Sequence, residues 1–253
     1  MKEKRDIAFC DTTDLMVYGH EPWLEVAGSD GRTGGSIEVH VKWGHNMQAD
    51  GLARKEGMTA LVVAPGGDKQ ESALTDGGPD YYSLRFPTPA GGFYHVVTKN
   101  TGNYVVDKKG KYQQGTRREY PDAVEAILYV QYAQAFVLAG RDLEGIPHRA
   151  GMPLEILPVV WKQWRVGDEI ALQVQFRGEP LDGVTLDVAS NGPGGYRQRK
   201  KMTDGGGYIN LQAREPGRYL VVARYRVPER EEGAYDTLSL TTTLCFLVGQ
   251  NAG

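Results

Sequence analysis

Five histidines, His20, His40, His45, His95 and His148, are the residues of this chain best suited to chemistry. Imidazole suits nickel, cobalt, copper and zinc, with carboxylate or backbone nitrogen completing the shell. No HxH or HExxH spacing occurs, so a metal site would have to be assembled by the fold rather than by one local segment. His20 follows Val17 and Gly19, small residues acceptable at the −3 and −1 positions of a signal-peptidase site. Cleavage after Gly19 would place a free amine beside the His20 imidazole, and the two could chelate one ion, with a second imidazole completing a T-shaped set. His45 is the preferred second ligand because it lies just beyond the period-two segment "SIEVHVKW" (36–43), where a site can stay open. His95 is next and His40 after it, since His40 projects from the polar face of that segment. His148 sits in a proline-rich joint and reads as a linker residue. The expected metal ligands are therefore His20, His45 and His95.

Other chemistries find little footing. No GxSxG elbow is present, and no GxGxxG opens a helix. No pair of carboxylates stands out as an acid–base couple, and the chain is expected not to be an enzyme. Of two cysteines, Cys10 and Cys245, neither has a CxxC partner, and Cys245 in "LTTTLCFLV" reads as a buried small apolar residue. Asp204 in "TDGGG" is expected to stabilise its own turn. With 29 basic against 32 acidic residues, the charge balance argues against a nucleic-acid footprint. The single basic cluster, "RQRKK" (197–201), reads as a solvated hairpin end. No apolar run approaches the ~18 to 20 residues that span a bilayer, so no direct membrane insertion is expected. The first residues carry the charges of a signal peptide, but Asp6, Asp11 and Asp14 interrupt any hydrophobic core of one.

The elements that must position these side chains are strands. "SIEVHVKW" alternates, with Ile37, Val39, Val41 and Trp43 on one face. "MTALVVAP" (58–65), "YYSLRF" (81–86) and "GGFYHVVTKN" (91–100) follow between glycine- and aspartate-containing turns; in the last, Phe93, His95 and Val97 share a face. "DKKGKYQQGTRREYPD" (107–122) reads as an exposed loop. "AVEAILYVQYAQAFVLAG" (123–140) satisfies a helix nearly as well as a strand; its aromatic and β-branched residues favour a strand after one helical turn. Three prolines in 144–161 mark a boundary, and "WKQWRVGDE" is suited to packing two domains together. Five further short strands follow between 168 and 248, at a spacing that points to an immunoglobulin-like sandwich. The expectation is an all-β chain: a leader or unstructured segment over 1–19, an N-terminal β-sandwich domain over 20–150 and a C-terminal Ig-like β-sandwich domain over 151–253. Trp23 and Trp43 are expected in the core.

Several elements taken in order carry a resemblance. His20–Trp23–Leu24, Trp43–Gly44–His45, the joint Gly151–Pro153–Leu154–Glu155–Ile156–Pro158, Gly178–Pro180–Leu181 and Thr203–Asp204–Gly207 form one such ordered set. The chain resembles a bacterial domain-of-unknown-function family associated with the periplasmic component of nickel or cobalt uptake transporters. The resemblance covers nearly everything after residue 19 and places both His20 and His45 in its motifs. It implies a two-part all-β protein, periplasmic or extracellular, that binds nickel or cobalt (copper or zinc being chemically possible) and works with membrane metal-transporter subunits. The hydrophobic export signal expected of that family is not evident in this chain. Two other readings stay open: a metal-free structural or adhesive module, and a histidine-brace copper protein.

Overall fold

The computed structural model describes residues 20–29, 32–140 and 144–250; Cys10, the segment 1–19 and the Val17–Gly19 junction lie outside the described residues. In chain order the first strands are β1 (Glu21–Ser29), β2 (Gly35–His45) and β3 (Gln48–Ala49). After a 3-10 turn at Lys55–Gly57 come β4 (Met58–Val63), β5 (Lys69–Ser72), β6 (Leu74–Asp76), β7 (Tyr81–Thr88), β8 (Gly92–Val106), β9 (Tyr112–Gln114) and β10 (Glu125–Ala139). The later part supplies β11 (Leu154–Pro158), β12 (Trp164–Arg165), β13 (Glu169–Phe176), β14 (Glu179–Pro180) and β15 (Thr185–Gly192). It closes with β16 (Gly195–Met202), β17 (Tyr208–Gln212), β18 (Gly217–Val227) and β19 (Thr237–Gly249). The chain is all-β, and among the described residues no helix is long and apolar enough to cross a membrane.

Among the described residues the strands form three sheets. A small sheet runs β1-β2-β7-β6, with β3 on β2; a second runs β11-β13-β14, with β17 on β13. Between them lies a long sheet, β16-β15-β18-β19-β10-β8-β4-β5, with β12 on β19 and β9 on β8. Its two faces carry separate cores, as successive side chains of a strand must point to opposite sides. In β10, Ala133, Ala135, Val137 and Ala139 pack with Leu24, Val39, Val41 and Leu84 of the small sheet. The intervening Val130, Tyr132 and Phe136 pack on the other side, in a cluster with Ile156, Ile170, Leu172 and Leu244. Two sandwiches result, the C-terminal one immunoglobulin-like, built on opposite faces of one shared layer.

The join is the parallel pairing of β10 with β19, from Ile127↔Thr237 to Gln134↔Leu244. A single sheet therefore crosses the boundary drawn at residue 150. Trp161 and Trp164 sit in the core cluster that links the halves, with Phe93 and Phe136 on one side and Ile170 and Phe246 on the other.

Local readings diverge in three places. The stretch 107–122 is not wholly loop, because Tyr112 is buried against Tyr104 and pins β9 onto β8. No helical turn precedes β10; residues 121–122 form a plain turn. "RQRKK" lies within β16, an edge strand paired on one side only, by β15. In "TDGGG", Asp204 Oδ1 accepts from the amides of Gly206 (3.0 Å) and Tyr208 (2.9 Å), closing the turn.

Candidate metal centre

The antiparallel register of β1 on β2 builds the site. Glu21 stands opposite Gly44, so His20, one residue before β1, falls beside His45 at the end of β2. Their ring centroids are 4.0 Å apart. The chain then reverses through Asn46 and Met47, both at positive φ (53° and 60°), the geometry of a two-residue type I′ hairpin. Asparagine tolerates this conformation; methionine does so at a cost of about 1–2 kcal/mol. Met47 is held there by burial among Trp23, Ala189, Leu220, Val222 and Cys245. Past the hairpin, the Asp50 amide donates to the Trp43 carbonyl (3.2 Å), bringing the Asp50 side chain back over both histidines.

Asp50 is where the two imidazoles meet. His20 Nε2 lies 3.1 Å from Asp50 Oδ1, and His45 Nδ1 lies 2.8 Å from Asp50 Oδ2. One candidate ligand atom from each of the three residues falls within 4.8 Å of the others. Exposure is graded: His20 is 8 % exposed, His45 36 % and Asp50 41 %. His20 is thus enclosed by the protein while His45 and Asp50 face solvent. His20 Nδ1 is buried with no hydrogen-bond partner. Burial holds the His20 pKa below its ordinary value, the neighbouring His45 lowers it further, and Asp50 partly offsets both. His20 is therefore neutral at neutral pH, the form that can bind a metal.

A second layer holds His20 in place. Buried Gln131 on β10 donates through Nε2 to the His20 carbonyl (3.1 Å), and buried Thr243 on β19 donates to the Pro22 carbonyl (2.7 Å). Arg224 on β18 bridges Glu21 and Asp187, with 2.6 Å to Asp187 Oδ2. Desolvation raises the Glu21 pKa, with Arg224 as the main opposing influence. The start of β1 is thereby clamped onto the shared sheet at three points.

Two imidazoles and a carboxylate form a donor set suited to a divalent transition ion, with coordination positions left for water or a carried ligand. Among the described residues no thiolate joins it. Cys245 is buried in the cluster beneath Met47, and burial pushes its thiol up to about 12.

The remaining sequence candidates go elsewhere. His95 is fully buried in β8 on the face carrying Phe93 and Val97, the side of the shared sheet opposite to His20. Both its ring nitrogens already have neighbours: Nε2 lies 2.9 Å from Gln134 Oε1 and Nδ1 3.2 Å from the His148 carbonyl. It is a core histidine and is not brought to the pair. His40 stacks on Tyr81 at 3.9 Å and sits 3.5 Å from Glu38. Asp50 escapes the sequence reading altogether; its signal is its distance from His45, five residues across a tight turn.

Gly44 sets the closeness of this hairpin. A Cβ there would sit 2.0 Å from the Gln48 carbonyl oxygen and 3.0 Å from Ala49 Cα, both backbone atoms that cannot swing aside. Gly44→Ala should therefore cost on the order of 1–3 kcal/mol and pull His45 away from Asp50. Thermal unfolding, together with loss of the His45 ring NMR shift characteristic of the wild type, checks this.

The comparisons with known proteins give no closer guide to the site. No curated protein matches the chain. Among solved structures, similarity is found to a DUF4785 family protein from Legionella pneumophila, at 10 % identity and a TM-score of 0.28. That match covers 79 % of this chain, which spans about half (51 %) of the Legionella chain. A two-domain fibronectin type III segment of chicken tenascin matches at 14 % identity and a TM-score of 0.20, covering 87 % of this chain and 97 % of that one. Trypsin-activated alpha-2-macroglobulin from Escherichia coli matches at 13 % identity and a TM-score of 0.25, covering 89 % of this chain and 16 % of that one. The model of one family, a domain of unknown function (DUF4198), matches residues 17–227, more than half of the sequence, and the chain belongs to that family.

Proposed function

We propose that this protein is a non-enzymatic, extracytoplasmic binder of a divalent transition metal, nickel or cobalt, serving as an accessory component of a membrane metal-uptake transporter. His20, His45 and Asp50 are the ligands in this reading. The observation that carries it is the convergence of two imidazoles on one carboxylate, with their candidate ligand atoms within 4.8 Å. A graded exposure from buried His20 to open Asp50 supports capture and release, since the ion enters from solvent without unfolding the sandwich. The N₂O set binds divalent ions in the general order that ends with copper, so the biological cargo is set by supply and partner more than by raw affinity. The Ig-like sandwich, sharing its sheet with the site-bearing one, acts as the rigid docking or spacing module.

The test is calorimetric titration of metal-free protein with Ni²⁺, Co²⁺, Cu²⁺ and Zn²⁺. Three proteins are compared: the full chain, a chain beginning at His20, and His45→Ala. The reading predicts 1:1 binding tighter than about 10 μM, weakened at least tenfold in His45→Ala. A chain beginning at His20 should bind more tightly still if its amine joins the shell. Absence of binding in all three would reduce the triad to a hydrogen-bonded clamp of the β2–β3 hairpin and favour the metal-free structural module.

A further inference from the structure

The basic cluster of β16 is not used by the metal centre, and it borders a cavity of its own. β16 is the outer strand of the shared sheet, paired on one side only, by β15. Beside it lies a pocket of about 200 Å³, room for roughly six water molecules. Its floor is formed by Val188 and Ser190 of β15, and its walls by Arg197 and Arg199 of β16 with Arg214 and Glu215 of the β17–β18 connection. Arg197 and Arg199 are two residues apart on one strand and so share a face; they pair across from Ser190 and Val188.

The opposite wall is preorganised. The Tyr219 hydroxyl donates to the Glu215 carbonyl (3.1 Å) and accepts from the amides of Arg214 (3.2 Å) and Glu215 (3.4 Å). Gly192 packs so closely against this connection that a Cβ would lie 2.2 Å from the Pro216 carbonyl oxygen. Arg214 is thus held at the rim by its backbone, while its guanidinium has no hydrogen-bond or ion-pair partner among the described residues. Arg199 spends one nitrogen on the Gln212 carbonyl (3.4 Å). Glu215 is the one acid of the lining; it accepts from Ser190 Oγ (3.2 Å) and lies 4.0 Å from Arg197 Nε. Three guanidiniums against one carboxylate leave two positive charges unbalanced around a small cavity, in a chain whose net charge is −3.

We propose that this pocket binds a small dianionic oxyanion group, a phosphate or a dicarboxylate, separately from the metal centre. Guanidinium forks match the paired oxygens of both classes, which lysine ammonium groups do not. The pocket lies on the Val188–Ser190 face of β15, whereas Asp187 and Ala189 face the side of the metal centre. Anion and metal therefore bind on opposite faces of the same sheet.

Isothermal titration of the metal-free full chain at low ionic strength tests this, with inorganic phosphate in one arm and succinate in the other. Sodium chloride at matched ionic strength is the control. Saturable 1:1 binding with Kd below about 1 mM is expected for at least one dianion. Arg214→Gln, which removes an exposed and unpartnered side chain, should weaken it at least tenfold, and Arg199→Gln similarly. Lys200→Gln makes the same charge change one residue along β16, on its other face, and should alter Kd less than twofold. Tighter phosphate binding assigns the phosphate class, tighter succinate binding the dicarboxylate class, and equal affinities the shared dianion chemistry. No saturable binding beyond the chloride control, or an equal loss in Lys200→Gln and Arg214→Gln, would overturn the site in favour of diffuse attraction to a basic edge.

Discussion

Asp50→Asn should lower divalent-metal affinity on the order of a hundredfold, about 2.7 kcal/mol of binding free energy, and leave the metal-free protein almost as stable as the wild type. The two halves of that expectation have different origins. Asparagine keeps the size and one acceptor oxygen of aspartate but removes the negative charge, and its amide must point a donor at one of the two imidazoles it replaces an acceptor for. His20 Nε2 at 3.1 Å and His45 Nδ1 at 2.8 Å both require an acceptor in the metal-free state. A loaded ion would instead lose its only anionic ligand among the three. Stability is insulated because Asp50 is 41 % exposed, where an ion pair or charged hydrogen bond contributes within about 1 kcal/mol. The measurement is a pair: calorimetric titration with Ni²⁺ and the thermal midpoint without metal. Unchanged affinity with a depressed midpoint would mark the carboxylate as a fold clamp and sink its role as a ligand. Asp50 is a cleaner probe than His20, whose removal also empties a buried space beside Trp43.

How far this site was legible depends on the range over which each residue is positioned. β2 is readable because one face is buried and the other is not, so Ile37, Val39, Val41 and Trp43 alternate with polar neighbours. His45 at its end follows from that alternation, and His20 stands out by its motif and its place before β1. Asp50 is hidden because its approach depends on the hairpin at Asn46 and Met47, which lacks the Asn-Gly signal of such turns and is stabilised by burial of Met47 instead. β10 reads ambiguously for a definite physical reason: both its faces are covered, so the period-two contrast that marks a half-buried strand is absent. Its parallel pairing with β19 joins residues more than a hundred positions apart and leaves no local trace. Two sandwiches can thus be inferred from strand rhythm, while the sheet they share cannot. His95 shows the converse. Its sharing of a face with Phe93 and Val97 is the pattern of a core position, and the structure buries it accordingly.

That burial carries the second large effect: the protein should lose about 3 kcal/mol of stability as pH falls from 6.5 to 4 because of His95 alone. Desolvation holds the folded His95 pKa down at about 4, with Gln134, Glu155 and the His148 carbonyl pulling weakly the other way. An unfolded histidine titrates near 6.5. Between those values the unfolded chain binds a proton that the folded chain refuses, so stability increases with pH across the window and is fully regained above it. The neighbours make the sign a real question. Gln134 donates through Nε2 to the Ile156 carbonyl (2.9 Å), so its Oε1 must accept from His95 Nε2. His95 Nδ1 then faces the His148 carbonyl at 3.2 Å, another acceptor. A protonated ring would satisfy both acceptors; a neutral one satisfies only Gln134. The cost of a buried cation outweighs one long hydrogen bond, so the neutral ring wins. Denaturant unfolding of the wild type and His95→Gln across pH 4–7 decides it. The wild-type curve should fall more steeply toward acid, and the difference between the two proteins should change by about 3 kcal/mol over the window. A wild type that instead gains stability relative to His95→Gln as pH falls below 7 would show that the two acceptors keep the ring charged in the core.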